Sequence, residues 1–118
     1  MESRRIKKIE ELYRHEVARI LLYEVRDPRL VNVHITQVRV TPDMRLARIY
    51  FEMPEGKVRE PEVQKALAKA KGYLKKGLGK NVLLRAMPQL EFFYDETSDL
   101  VRNVENIFKQ LEEEKKSK

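Results

Sequence analysis

Val38-Arg39-Val40-Thr41-Pro42-Asp43-Met44-Arg45-Leu46-Ala47-Arg48-Ile49-Tyr50-Phe51-Glu52-Met53 is the stretch on which the fold turns. Ala47, Ile49, Phe51 and Met53 alternate with Leu46, Arg48, Tyr50 and Glu52, the period-two pattern of a strand with one buried face. Upstream, about Val31 to Val40 is rich in β-branched residues and reads as a second strand. Its apolar phase changes from Val31, Val33 and Ile35 to Val38 and Val40, which places a β-bulge, or a strand covered on both faces, near Thr36-Gln37. Thr41 to Arg45 supplies the Pro and Asp of a turn, so the two strands are expected to pair as an antiparallel hairpin.

Ahead of the hairpin, residues 4–24 read as a helix. Ile6, Ile9, Tyr13, Val17, Ile20 and Leu21 form its buried stripe, Leu12 lies at the edge, Ser3 is the expected N-cap, and Asp27-Pro28 is the expected stop. After the hairpin, Pro54-Glu55-Gly56 opens a loop, and Pro61 and Glu62 suit the first turn of a helix. That helix carries Val63, Leu67, Ala70, Leu74 and Leu78 on one side. It is expected to run to about Leu78, with Gly77 and Gly79 marking its end. Leu90 to Tyr94 reads as a third strand whose position in the sheet the pattern leaves open, and Phe92-Phe93-Tyr94 suggests cover on both faces. Asp99 is the expected cap of a last helix with a stripe of Val104, Ile107, Phe108 and Leu111, fraying in the final Glu-Glu-Glu-Lys-Lys-Ser-Lys. The order α-β-β-α-β plus a terminal helix makes an α+β two-layer domain over residues 1–96, with residues 97–118 as helix and tail.

From Lys65 to Arg85 there are seven basic side chains and no acidic one. Lys65, Lys69, Lys76 and Lys80 fall opposite the apolar stripe, with Gly72 among them, while Lys71 and Lys75 lie nearer its edge. Charge of one sign around a residue with no side chain is the arrangement expected where a phosphate backbone approaches a helix closely. Arg39, Arg45 and Arg48 are expected either to extend this patch or to serve in edge protection and pairing with Glu52. Arg26 and Arg29 are expected to pair with Asp27 in preference to touching RNA, and Tyr50 and Tyr73 to pack or sit at a rim in preference to stacking on bases.

The whole chain has 118 residues and a net charge of +6, all of it within residues 1–96. A basic core points to a polyanionic partner. With no cysteine, disulfides and thiolate zinc sites are excluded. The 37% of charged residues leans toward a thermophilic source. No signal peptide or membrane span is read, so a cytoplasmic location is expected. His15 and His34 have no partner at ligand spacing, Glu10-Glu11 and Asp95-Glu96 read as surface charges, and Gly72 with Gly77 fails as a phosphate-binding loop because Leu78-Gly79 stands where Lys-Ser/Thr is required. No catalytic constellation, metal site, cofactor or small-molecule substrate is expected.

Several stretches together resemble one family, bacterial ribosome-binding factor A. They are Glu24-Val25-Arg26-Asp27-Pro28-Arg29-Leu30, the hairpin from Val38 to Tyr50, Ala70-Lys71-Gly72-Tyr73-Leu74, Leu84-Arg85, Met87-Pro88-Gln89-Leu90-Glu91-Phe92 and Tyr94-Asp95-Glu96. The resemblance implies a KH-like fold of the second type (α-β-β-α-kink-α-β), in which an Ala-x-Gly kink, here Ala70-Lys71-Gly72, replaces the Gly-x-x-Gly loop that clamps nucleic acid in ordinary KH domains. It also implies a non-enzymatic factor, expected as a monomer, that binds the small (30S) ribosomal subunit. Such a factor assists late 16S rRNA maturation and 5′-end processing and supports growth in the cold. The candidate RNA-binding set is Lys65, Lys69, Lys71, Gly72, Lys75, Lys76, Lys80, Arg85, Arg39, Arg45 and Arg48. Where the family often has glycine and, two residues on, arginine, this chain has Val101 and Asn103, and no role is carried over there. The rival readings are a generic KH-type module for single-stranded RNA and a protein–protein adaptor.

Overall fold

The computed structural model describes residues 2–82 and 87–116. α1 (Glu2–Tyr23) precedes a 3-10 turn at Pro28–Leu30. The hairpin strands β1 (His34–Val40) and β2 (Leu46–Glu52) come next. After a second 3-10 turn, Lys57–Arg59, come α2 (Glu60–Asn81), β3 (Gln89–Tyr94) and α3 (Thr97–Lys116). The sheet runs β1-β2-β3, antiparallel between the first pair and parallel between the second. β2 and β3 are parallel because α2 carries the chain back across one face before β3 begins, the crossover that a parallel pair requires.

The hairpin forms as its alternation dictates. Ala47, Ile49, Phe51 and the following Met53 are buried, and the register shifts between Ile35 and Gln37, so a bulge at Thr36 carries the inward phase from Ile35 to Val38. In the turn, the Asp43 carboxylate accepts from the Thr41 hydroxyl at 2.7 Å and from the Arg45 amide at 3.1 Å. Met44 takes a left-handed backbone with φ of 64°.

α1 packs on β1, α2 packs on β3, and the two helices pack on each other, all on one face of the sheet. Tyr13, Val17, Ile20 and Leu21 from α1 meet Val63, Leu67, Leu74 and Leu78 from α2 and the inward strand residues in one core. The Glu10 carboxylate accepts from the Val40 amide at 2.7 Å, and Gln64 donates to the Phe92 carbonyl at 2.9 Å. Each helix thus satisfies a backbone group of an edge strand.

Several boundaries differ from the sequence expectation. Ser3 lies inside the first turn of α1, which begins at Glu2, so it is not the N-cap. α1 stops at Tyr23, and Asp27-Pro28 instead starts the 3-10 turn, with the Asp27 carboxylate accepting from the Arg29 amide. β1 starts at His34, not Val31, because the 3-10 turn and Asn32, at φ 66°, precede it. α2 continues through Gly77 and Gly79 to Asn81. A Cβ at Gly77 would stand 2.5 Å from Ile20 Cδ1, so this glycine lets the two helices approach instead of ending one of them. α2 passes through Ala70, Lys71 and Gly72 as one element of 22 residues, with the Ala-x-Gly motif inside it. β3 is covered on one face: Leu90 and Tyr94 are buried, whereas Phe93 is 38% exposed and meets Tyr50 on the open face, ring centroids 5.6 Å apart.

Neither carboxylate pair is merely solvated. Glu10 holds β1, and Asp95, nearly buried, accepts from the Thr36 hydroxyl at 2.5 Å and the Thr97 amide at 3.0 Å. Burial pushes the Asp95 carboxyl up, but the hydrogen bonds from Thr36 and Thr97 outweigh it and leave its pKa lowered. Asp95 is therefore the residue that starts α3 at Thr97, and Asp99 lies within that helix. α3 extends through the Glu-Glu-Glu-Lys-Lys run to Lys116.

Candidate nucleic-acid interface

α2 presents its charges as the wheel requires: Val63, Leu67, Leu74 and Leu78 face the core, while Lys65, Lys69, Lys76 and Lys80 are exposed on the outer side. Lys71 and Lys75 are half-buried at the margins, and Lys75 donates to Gln89 Oε1 at 3.0 Å. Among the described residues, none of Lys65, Lys69, Lys71, Lys76 or Lys80 lies within ion-pair distance of a carboxylate. Gly72 is exposed, and a Cβ built there would meet nothing within 4 Å. The helix backbone can be approached at that point from outside.

Among the described residues, Asp27 and Glu24 stand beside this surface, and Glu62, paired with Arg59 at 2.6 Å, precedes Lys65 by one turn of α2. Asp27 is held by Arg29 at 2.7 Å, and Glu24 by Arg19 at 2.8 Å and by the Tyr73 hydroxyl at 2.5 Å. The Arg29 guanidinium, then its amide, pull the Asp27 pKa from 3.8 to about 2, with help from the charge of Lys69. Tyr73 and Arg19 lower Glu24, aided by Lys80. Each acid is neutralised by its own arginine, so the lysine face keeps its positive sign.

The arginines of the hairpin do not join that face. Arg39 and Arg48 alternate outward from β1 and β2, so they project from the side of the sheet opposite the helices, and Arg45 stands exposed at the hairpin turn. Arg39 donates to Gln37 at 3.2 Å, and Arg48 lies in register with Arg39 and Glu91. Glu52 pairs with His34 at 3.7 Å, not with an arginine. Of the two expectations for these arginines, extension of the lysine patch fails: Arg39 and Arg48 lie on the opposite side of the two-layer domain from it. Arg85 lies outside the described residues. Arg29 pairs with Asp27 as expected, whereas Arg26 stays exposed.

The sequence expectation pairs Asp27 with arginine and puts Tyr73 in the packing or at a rim, but it does not bring Glu24, Asp27 and Tyr73 together. Glu24, Asp27 and Tyr73 come together only because the chain after α1 turns back along α2. The signal available was the run Glu24 to Leu30, which carries the family resemblance and in which only the pairing of Arg26 and Arg29 with Asp27 is expected.

A mixed three-stranded sheet covered on one face by two helices, with Ala70-Lys71-Gly72 within the second and no Gly-x-x-Gly, is a KH-like domain with an appended helix. A family profile described as ribosome-binding factor A matches residues 5–108. The ribosome-binding factor A of Finegoldia magna is 35% identical over 116 residues, covering 97% of this chain and 96% of the relative. That of Coxiella burnetii is 38% identical over 102 residues, covering 86% and 85%. The chain belongs to the ribosome-binding factor A family. In structure it is similar to a putative ribosome binding factor A from Thermotoga maritima, with TM-score 0.70, 26% identity and coverage of 79% of this chain and 89% of that one. It is also similar to a homology model of the Thermus thermophilus factor fitted into a cryo-EM map of its complex with 30S, with TM-score 0.64, 27% identity and coverage of 76% and 94%.

Proposed function

We propose that this chain is a non-enzymatic assembly factor that docks on the small ribosomal subunit through the lysine face of α2 and assists late 16S rRNA maturation, including 5′-end processing. It acts in the cytoplasm as a monomer, and the family resemblance extends its role to growth in the cold. The observation that carries the docking surface is the row Lys65, Lys69, Lys76 and Lys80, exposed around an open Gly72 and unopposed by any carboxylate within ion-pair distance among the described residues. Phosphate contacts supply the affinity and the shape of the helix supplies the selectivity, since lysine is a point charge that reads no base. Lys71 and Lys75 border the surface, and Arg85 belongs to the proposed RNA-binding set by its place in the sequence. Arg39, Arg45 and Arg48 form a separate group that reaches RNA only if the subunit wraps to the open side of the sheet.

Co-sedimentation with purified 30S subunits at two salt concentrations tests this reading. Lys69→Glu with Lys76→Glu is expected to weaken binding and to lower the slope of log affinity against log salt by about one per lost contact. Unchanged affinity in the double variant removes α2 as the docking surface. One observation favours a second activity, adaptor binding to a protein: Val104, Ile107, Phe108 and Leu111 form an exposed apolar stripe on α3. Salt-insensitive association lost on truncation of α3 is its signature.

A further inference from the structure

Between α2 and the chain that follows α1 lies an open cleft of about 260 Å³. This is smaller than the roughly 300–1,000 Å³ of pockets that take drug-sized ligands, and of a size for a single planar ring system. Its floor is Ala66 and Ala70, both buried and too small to fill it. Tyr73, 48% exposed, forms one wall, with its hydroxyl tied to Glu24. At the mouth stand Arg26 and Lys69, both exposed and neither within ion-pair distance of a carboxylate among the described residues.

We propose that this cleft holds one unstacked guanosine nucleotide of the bound RNA, the base against Tyr73 and the alanine floor, its flanking phosphates on Lys69 and Arg26. An apolar floor with an aromatic wall and two cations at the rim matches a nucleotide whose base is buried and whose backbone stays in solvent. The choice of guanine follows from Glu24. Oε1 already accepts from the Tyr73 hydroxyl, and Oε2 is ion-paired with Arg19 at 2.8 Å. One lone pair per oxygen is left, an acceptor pair matching the adjacent N1–H and N2–H donors of guanine. Adenine and uracil present no such pair. The lowered pKa of Glu24 keeps the carboxylate ionised and accepting at neutral pH. The inference rests on the docking reading above and names the RNA feature that would sit beside the Ala-x-Gly motif.

The test is a titration of the isotope-labelled full chain, followed by amide resonances, with 5′-GMP, 5′-IMP, 5′-AMP and 5′-UMP and with single-stranded UpGpU and UpApU. GMP is expected to shift the amides of Val25, Asp27, Lys69 and Tyr73 and to bind about tenfold more tightly than AMP, or than IMP, which lacks the 2-amino group. UpGpU is expected to bind more tightly than GMP, because it adds phosphates for Lys69 and Arg26. Glu24→Gln should abolish the preference for guanine, and Tyr73→Ala should weaken every ligand, with the remaining resonances unmoved in both variants. An equal response to all four nucleotides, shifts confined to residues outside the cleft, or no response at millimolar nucleotide overturns the proposal. GMP binding more tightly than UpGpU overturns the RNA assignment, because the cleft would then be a site for a free nucleotide. Salt-dependent co-sedimentation of the wild-type chain with 30S, together with a silent cleft, rejects the nucleotide site and leaves the docking surface standing.

Discussion

At Gly72 the proposed docking surface makes stability and binding separable by one substitution. A glycine inside a helix costs roughly 0.5–1 kcal/mol relative to alanine, and here no neighbour occupies the space a methyl group would take. Gly72→Ala is therefore expected to raise thermal stability by that amount, measured by denaturation, while weakening co-sedimentation with 30S. A variant that gains stability and keeps full affinity would show that no phosphate comes close to the backbone there. Asp27 gives a pH signature of a different kind. Its carboxyl is held at about 2 in the fold against an ordinary 3.8, chiefly by Arg29. Because the folded pKa is depressed, the contribution is fully present above the ordinary value and is lost as pH falls from about 4 through 2. Urea midpoints of wild type and Asp27→Asn are expected to differ at pH 5 and to converge toward pH 2.

At the scale of elements, α2 has two faces, one apolar and buried, the other exposed and bearing lysines. Its inner face carries Leu67, Leu74 and Leu78, fully buried, and so sets stability. Leu74→Ala is expected to cost about 2–5 kcal/mol in chemical denaturation, as lost burial and a cavity combine. Substitutions of Lys65 or Lys76 by alanine should stay within about 0.5 kcal/mol, because those side chains end in solvent. The inner stripe was readable from spacing, as was the exposed lysine row, since both follow from helical periodicity. The end of α2 was not. Gly77 and Gly79 carry the residue type of a helix stop, yet Gly77 serves the crossing with Ile20. Residue type states what a position tolerates; the neighbouring helix states why it is needed.

For the molecule as a whole, the two-layer domain and α3 are unequal partners. The principal extents of 64 × 39 × 20 Å reflect a helix that leaves the domain after Asp95. Ile107 is 56% and Phe108 63% exposed, and no described side chain from Val104 to Lys115 is buried. Truncation after Asn103 is accordingly expected to change the unfolding free energy by less than about 1 kcal/mol, checked by comparing denaturation curves of the full and shortened chains. A larger loss would mean that α3 folds back on the domain in solution.

Taken by itself, the order of residues determined what depends on near neighbours along the chain. The hairpin, the buried stripes of α1 and α2, the exposed lysines and the α+β class all follow from periods of two and 3.6. Only the tertiary structure decided that β3 lies parallel to β2, that Arg39 and Arg48 point away from the lysine face, and that Asp95 and Glu10 are structural acceptors. It also decided that Glu24, Asp27 and Tyr73 enclose a cleft. Each of these joins groups far apart in the chain, such as Thr36 with Asp95 or Glu24 with Tyr73. Periodicity says which side of an element is apolar. It carries no information on which partner that side, or the polar groups beside it, will meet once the layers close.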